Sequence, residues 1–190
     1  MVKHRLKDKV AIITGAGQGI GEGIATVFAE EGAKVVVATR TEKNGSETVE
    51  KIKEAGGEAL LHVVDVGDRN SAKDIVEATI AEYGSVDIMI HNAASFLMGA
   101  IEDFTEEDME TSFSVNLKAC IRLSAACIPH FKQQKNGRLL FTSSVTGPRV
   151  AYPGLSYYAA SKGGVNAFIR NAALELARDG ITVNGVEPGY

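Results

Sequence analysis

The chain has 190 residues, a formal net charge of −4 and an apolar fraction of 45%, the balance of one globular domain long enough to bury a sizeable core. No basic stripe or set of stacking aromatics points to nucleic acid, and no apolar run reaches the ~20 residues that span a bilayer. The basic start Met1–Asp8 lacks a following signal-type apolar core and cleavage site, so a cytoplasmic protein is the default expectation.

The first element is a short apolar run, Val10-Ala11-Ile12-Ile13-Thr14, suited to a buried parallel strand. It enters the turn Gly15-Ala16-Gly17-Gln18-Gly19-Ile20-Gly21, after which Ile20, Ile24, Val27 and Phe28 recur at helical spacing up to a stop at Gly32. Strand, glycine turn and helix together make the dinucleotide-binding arrangement. Missing side chains let the backbone approach a pyrophosphate, and the helix N-terminus favours its charge. A merely tight turn is the plain alternative, but the flanking strand and helix are the context the motif requires.

Lys34 to Ala38 reads as the second strand. Just beyond it, an acidic residue would hold the ribose hydroxyls of NAD, and a basic one the extra phosphate of NADP. The residues there are Thr39 and Arg40, and a guanidinium matches phosphate bidentately. NADP(H) is therefore favoured over NAD(H), against an Arg40 that simply faces water.

Gly45 to Glu54 reads as helix, Ala59 to Val64 as the third strand, Ser71 to Tyr83 as helix and Val86 to Ile90 as the fourth strand. Thr105 with Asp108 forms a capping box that opens a long helix to about Phe131. Cys120 and Cys127 both fall in it, ~10 Å apart along the axis, beyond the ~7 Å a disulfide allows, so free buried thiols are expected. His4, His62, His91 and His130 are scattered, and no zinc-type spacing exists, so no metal site is expected. Arg138 to Thr142 is the fifth strand, Tyr157 to Arg178 a helix ended by Gly180, and Ile181 to Val186 the sixth strand. This alternation predicts an α/β fold: a doubly wound parallel sheet in a single domain over residues 1–190.

Tyr158 and Lys162 lie four apart on the last helix and share a face. A nearby ammonium favours phenolate and lowers a tyrosine pKa from ~10, which suits general acid–base chemistry. A surface pair is the alternative.

The pattern Thr14-Gly15-x-x-x-Gly19-x-Gly21 with Tyr158-x-x-x-Lys162 resembles the classical short-chain dehydrogenase/reductase family, in the manner of its 3-oxoacyl-carrier-protein reductases. Asn92 in His91-Asn92-Ala93-Ala94 is similar to the family's Asn-Asn-Ala-Gly. Asn116 in Ser114-Val115-Asn116-Leu117, Ser144 in Thr142-Ser143-Ser144-Val145, and Pro188-Gly189 match further motifs in family order. His91 and Ala94 depart from the pattern. The chain also stops at Tyr190, where family members usually continue through a substrate-covering lid and a last strand, so a C-terminally incomplete Rossmann domain is expected.

The resemblance implies hydride transfer between NADP(H) and a carbonyl or secondary alcohol. Tyr158 would exchange the proton, Ser144 hold the reacting oxygen, Lys162 hold the nicotinamide ribose and depress the Tyr158 pKa, and Asn116 hold a relay water. Ser143 and Tyr157 are the rival serine and tyrosine. Cofactor contacts are expected from Gly15, Gln18, Gly19, Ile20, Gly21, Arg40, Asp65, Val66, Asn92, Pro188 and Gly189, beside Tyr158 and Lys162. Gln18 stands where many NADP-using relatives carry a basic residue, and Asp65 is an adenine contact or a turn cap.

The loop Gly147 to Leu155 is expected to line the substrate pocket, with Arg149 facing an anion or water, and Phe96, Leu97 and Met98 an apolar wall. A 3-oxoacyl thioester, a sugar and a cyclic alcohol all remain compatible. A homodimer or homotetramer is implied through the helices of Asn116 and Tyr158, with Ala125, Ala126, Ala167, Ala172 and Ala173 permitting close approach. The alternative from another class is a non-catalytic dinucleotide-sensing protein of the same fold; an epimerase or dehydratase of the extended branch ranks third.

Overall fold

The computed structural model describes residues 4–189; residues 1–3 and Tyr190 lie outside them. Strands β1 (Val10–Thr14), β2 (Lys34–Thr39), β3 (Glu58–Val63), β4 (Ile88–His91), β5 (Gly137–Thr142) and β6 (Ile181–Val186) form one sheet in the order β3-β2-β1-β4-β5-β6. Every neighbouring pair is parallel. Strand order reverses between β1 and β4, the switch point beyond which ligands bind in such sheets. This is the doubly wound Rossmann arrangement that the alternating pattern predicts.

Successive residues of the inner strands feed opposite cores. Ile12, Val36, Met89 and Leu139 face α3 (Ser71–Tyr83), α5 (Ala119–Gln134) and α6 (Ser156–Leu176). Ile13, Val35, Val37 and Ile90 face α1 (Gly19–Glu30) and α2 (Glu42–Glu54). Each such side chain contributes ~1.5–3 kcal/mol when fully buried.

The structure corrects several expected details. The apolar spacing in α1 locates the helix and half of its packed face, Ile24 and Phe28. Gly21, Ala25 and Ala29 point inward, whereas Ile20 and Val27 are exposed. Small residues let α1 lie close to the sheet, while Ile24 and Phe28 pack against the edge of the same core. Helix α2 begins at Glu42, a turn before Gly45. That glycine is not a start signal but a contact, because a Cβ there would overlap the Leu61 side chain.

The long helix after Thr105 is interrupted. Its capping box is present, with Asp108 N–H donating to Thr105 Oγ1 at 3.1 Å and Thr105 N–H to Asp108 Oδ2 at 3.0 Å. Helix α4 (Glu106–Phe113) then passes through a π-helical stretch, Ser114–Lys118, into α5. Such widened turns are rare and cluster at functional sites.

Cys120 and Cys127 are free and buried. Ala172 faces the core rather than a partner; the exposed apolar residues of α5 and α6 include Ile121 and Leu174. Among the described residues no helix is long and apolar enough to cross a membrane.

Candidate active site

A cleft of about 660 Å³ opens beyond the carboxyl ends of the strands, within the size range of small-molecule sites. Of the expected site residues, Gly15, Gln18, Gly19, Ile20, Arg40, Asp65, Val66, Asn92, Ser144, Tyr158, Lys162, Pro188 and Gly189 line it. Gly21 and Asn116 do not.

Gly15 adopts φ +65°, in the left-handed region that favours glycine. A Cβ there would stand 2.8 Å from Ala93 Cα, so the turn rests directly on the backbone after β4. Gly21 lies beneath it: a Cβ at Gly21 would overlap the Gly15 carbonyl and stand 2.6 Å from Asn92 Nδ2. Its role is steric, allowing α1 to start close under the turn. Gln18, the residue before α1, makes no side-chain cap bond, so the first N–H groups of the helix keep their capacity for an anion. Bare backbone and a helix start at the switch point fit a dinucleotide pyrophosphate.

Asn116 is fully buried in the π-helical stretch. Its Oδ1 accepts from Ser95 N–H at 2.7 Å, and its Nδ2 donates to the Ser95 carbonyl at 2.9 Å and to Ser161 Oγ at 3.0 Å. The side chain thus clamps the strand-β4 loop to α6, one residue before Lys162. The relay water expected from the resemblance finds this amide already engaged.

His91, a departure from the family pattern, completes that framework. Its Nε2 lies 3.0 Å from the Val115 carbonyl and its Nδ1 2.9 Å from Thr14 Oγ1. A carbonyl only accepts, so Nε2 carries the proton and Nδ1 accepts from Thr14. Thr14 Oγ1 in turn accepts from Asn92 N–H and Ala93 N–H at 3.2 and 3.3 Å. One imidazole therefore ties the end of β1 to the widened turn that presents Asn116. Burial, with the Lys162 charge adding to it, pushes the His91 pKa down to about 3.

Lys162 is 1% exposed, and its Nζ donates to the Thr142 carbonyl at 2.7 Å. Burial lowers its pKa to about 8, against a smaller raising influence from Cys120. Nζ stands 5.7 Å from the Tyr158 ring centroid, and Phe96 meets that ring edge-on at 5.0 Å. Ser143 donates to the Lys162 carbonyl at 3.3 Å. Ser144 Oγ accepts from Thr146 N–H at 3.0 Å and faces the cleft. Tyr157 packs edge-on against Phe104 at 4.5 Å and does not line the cleft. The arrangement can deliver or take a proton beside a buried cation and a hydroxyl.

The comparisons with known proteins agree with this geometry. A family model described as short chain dehydrogenase matches residues 9–190. The chain belongs to the short chain dehydrogenase family. It is 36% identical over 186 residues to the 3-oxoacyl-[acyl-carrier-protein] reductase FabG of Thermotoga maritima, covering 98% of this chain and 75% of that protein. A short chain dehydrogenase from Burkholderia cenocepacia in complex with NADP superposes with a TM-score of 0.91 at 33% identity, covering 97% of this chain and 75% of that one. An NAD+-bound xylitol dehydrogenase gives 0.92 at 28% identity, covering 98% and 72%. The chain is an oxidoreductase of this family, acting on the carbonyl/CH–OH pair with a nicotinamide dinucleotide.

On the substrate side the structure differs from the expectation in two places, the loop and the apolar wall. The loop over residues 147–155 does not line the cleft; Gly154 instead accepts from Gly99 N–H at 3.0 Å. Arg149 is largely exposed, as the plainer alternative had it, and pairs with Glu187, whose other oxygen accepts from Asn166 Nδ2 at 2.8 Å, so it braces the segment before Pro188. Of the expected apolar wall only Phe96 lines the cleft.

Sequence reasoning missed Thr142, whose contribution is a backbone carbonyl, and Asn44, which reaches the rim from α2 and donates to Gln18 Oε1 at 3.2 Å. At the same rim Arg40 Nη1 lies 3.8 Å from Asp65 Oδ2, with both groups largely exposed.

A neutral buried imidazole makes stability pH-dependent with a definite sign. The unfolded chain binds a proton near pH 6.5, while the folded chain resists it until about 3, so stability falls as pH drops through that window. Urea unfolding should show the wild type losing up to about 1.4 kcal/mol more per pH unit there than His91→Asn. Parallel pH curves for the two proteins would contradict the buried neutral state.

Proposed function

We propose that the chain transfers a hydride between NADP(H) and a carbonyl or secondary alcohol. The observation that supports this reading most is the meeting of Ser144, Tyr158 and Lys162 in one cleft whose far end carries Arg40. The nicotinamide, when bound, supplies or accepts the hydride. Tyr158 gives its proton to the carbonyl oxygen in reduction and takes one in oxidation. Ser144 donates a hydrogen bond to that oxygen. Lys162 holds the nicotinamide ribose, and its charge beside the phenol favours phenolate. Asn116 acts as a positioning residue through Ser95 and Ser161. Phe96 offers the substrate an apolar face.

The non-catalytic sensor is not favoured, because three groups suited to proton transfer share the cleft and the similar proteins are named reductases and dehydrogenases.

Cofactor choice rests on Thr39 and Arg40. A hydrogen bond to a charged group contributes ~1.5–3 kcal/mol, roughly ten- to a hundredfold. Arg40 is exposed and faces Asp65, so the lower end is expected. Calorimetry should give NADPH the tighter binding in the wild type and a tenfold smaller advantage in Arg40→Ala. Equal affinities in the wild type would end the preference.

Tyr158→Phe keeps the ring and its contact with Phe96 while removing the proton. Turnover of an established substrate should fall ~10²–10⁴-fold with NADPH affinity nearly unchanged, whereas Lys162→Ala should lower both. Near wild-type turnover in Tyr158→Phe would overturn the acid–base assignment.

A further inference from the structure

The first turn of α2 is fixed against the glycine turn at several points. A Cβ at Gly17 would stand 2.8 Å from Thr39 Oγ1 and 3.1 Å from Asn44 Cβ; one at Gly45 would stand 2.6 Å from Thr39 Cγ2. Bare glycine backbone therefore brings α2, the end of β2 and the glycine turn into direct contact. One turn further on, buried Thr48 donates to the Ala16 carbonyl at 3.1 Å. These contacts hold the backbone of Asn44 at the cleft rim, where its side chain donates to Gln18 Oε1.

An asparagine Nδ2 carries two N–H groups. The bond to Gln18 Oε1 uses one of them and leaves the other for a ligand at the rim. Gln18, Thr39, Arg40, Thr41 and Asn44 all line this end of the cleft, and none of the five is acidic. Arg40 is the one cation among them, and it lies opposite the Asp65 carboxylate, which competes with any anion for the guanidinium. An anion bound here gains from a donor that does not have to leave a carboxylate first.

We propose that Asn44 is a specificity-determining residue, giving its second N–H to the 2′-phosphate of NADP(H) while Gln18 orients the carboxamide. This rests on the NADP(H) reading above and adds a neutral, positioned donor to the cation at Arg40. A neutral amide does not repel a ribose hydroxyl, so its effect is on the phosphorylated form.

The test is calorimetric titration of the full chain with 2′,5′-ADP and with 5′-AMP, two fragments that differ only in the 2′-phosphate. The wild type should bind 2′,5′-ADP more tightly. Asn44→Ala should reduce that advantage about tenfold at most, and Asn44→Asp, which places a carboxylate at the same point, should reduce it further. Neither should change 5′-AMP affinity. If both fragments weaken together with their ratio unchanged, Asn44 has only a structural role and the proposal is wrong. A wild-type advantage untouched by either substitution would end the proposal and leave the NADP(H) reading standing. No advantage in the wild type would end both.

Discussion

The rest of the site depends on one constraint, a lysine ammonium held almost out of water. Lys162 sits at the base of the cleft with a charge-assisted bond to the Thr142 carbonyl. A pKa lowered from 10.5 to about 8 corresponds to roughly 3 kcal/mol of disfavour for the charged form. The sign follows from linkage: the unfolded chain holds this proton more tightly, so the penalty is fully present below about pH 8 and is relieved as pH rises towards 10.5. The fold tolerates the cost because the backbone around the lysine is over-determined. Ser143 holds its carbonyl, and Asn116 holds Ser161 just before it. In the proposed reaction this cation would act on the Tyr158 phenol with little water to screen it.

The scaffold for that lysine is built from local irregularities rather than from regular elements. The π-helical stretch Ser114–Lys118 turns Asn116 towards Ser95, and His91 takes the Val115 carbonyl from that stretch. His91 also reaches Thr14, the last residue before the glycine turn. The glycine turn and the widened turn that presents Asn116 are thus joined through one buried imidazole. Being neutral, it adds no second positive charge beside Lys162.

Much of this was legible in the sequence. The strand and helix order follows from apolar runs, and most of the expected cofactor contacts that line the cleft belong to motifs at family spacing. The parts that were not legible have physical reasons. Periodicity finds α1 and, in Ile24 and Phe28, the edge of its packed face, but misses its innermost positions, because glycine and alanine fill them and carry little hydropathy signal. A capping box locates the start of α4 but says nothing of a widened turn nine residues later. The Thr142 contact is backbone, which no side-chain pattern encodes. Asn44 is an ordinary helix residue in the sequence, and becomes a site residue only because Gly17 and Gly45 bring α2 against the glycine turn. The loop over residues 147–155 was expected in the pocket on analogy alone, and the structure ties it to Gly99 and Glu187 instead.

The most direct test of this account is the titration of Lys162 in the free protein, followed by NMR of its Nζ with Lys162→Met supplying the assignment. A midpoint near 8 is the predicted result. Titration near the ordinary value of 10.5 would contradict the buried cation on which the assignment of Tyr158 rests.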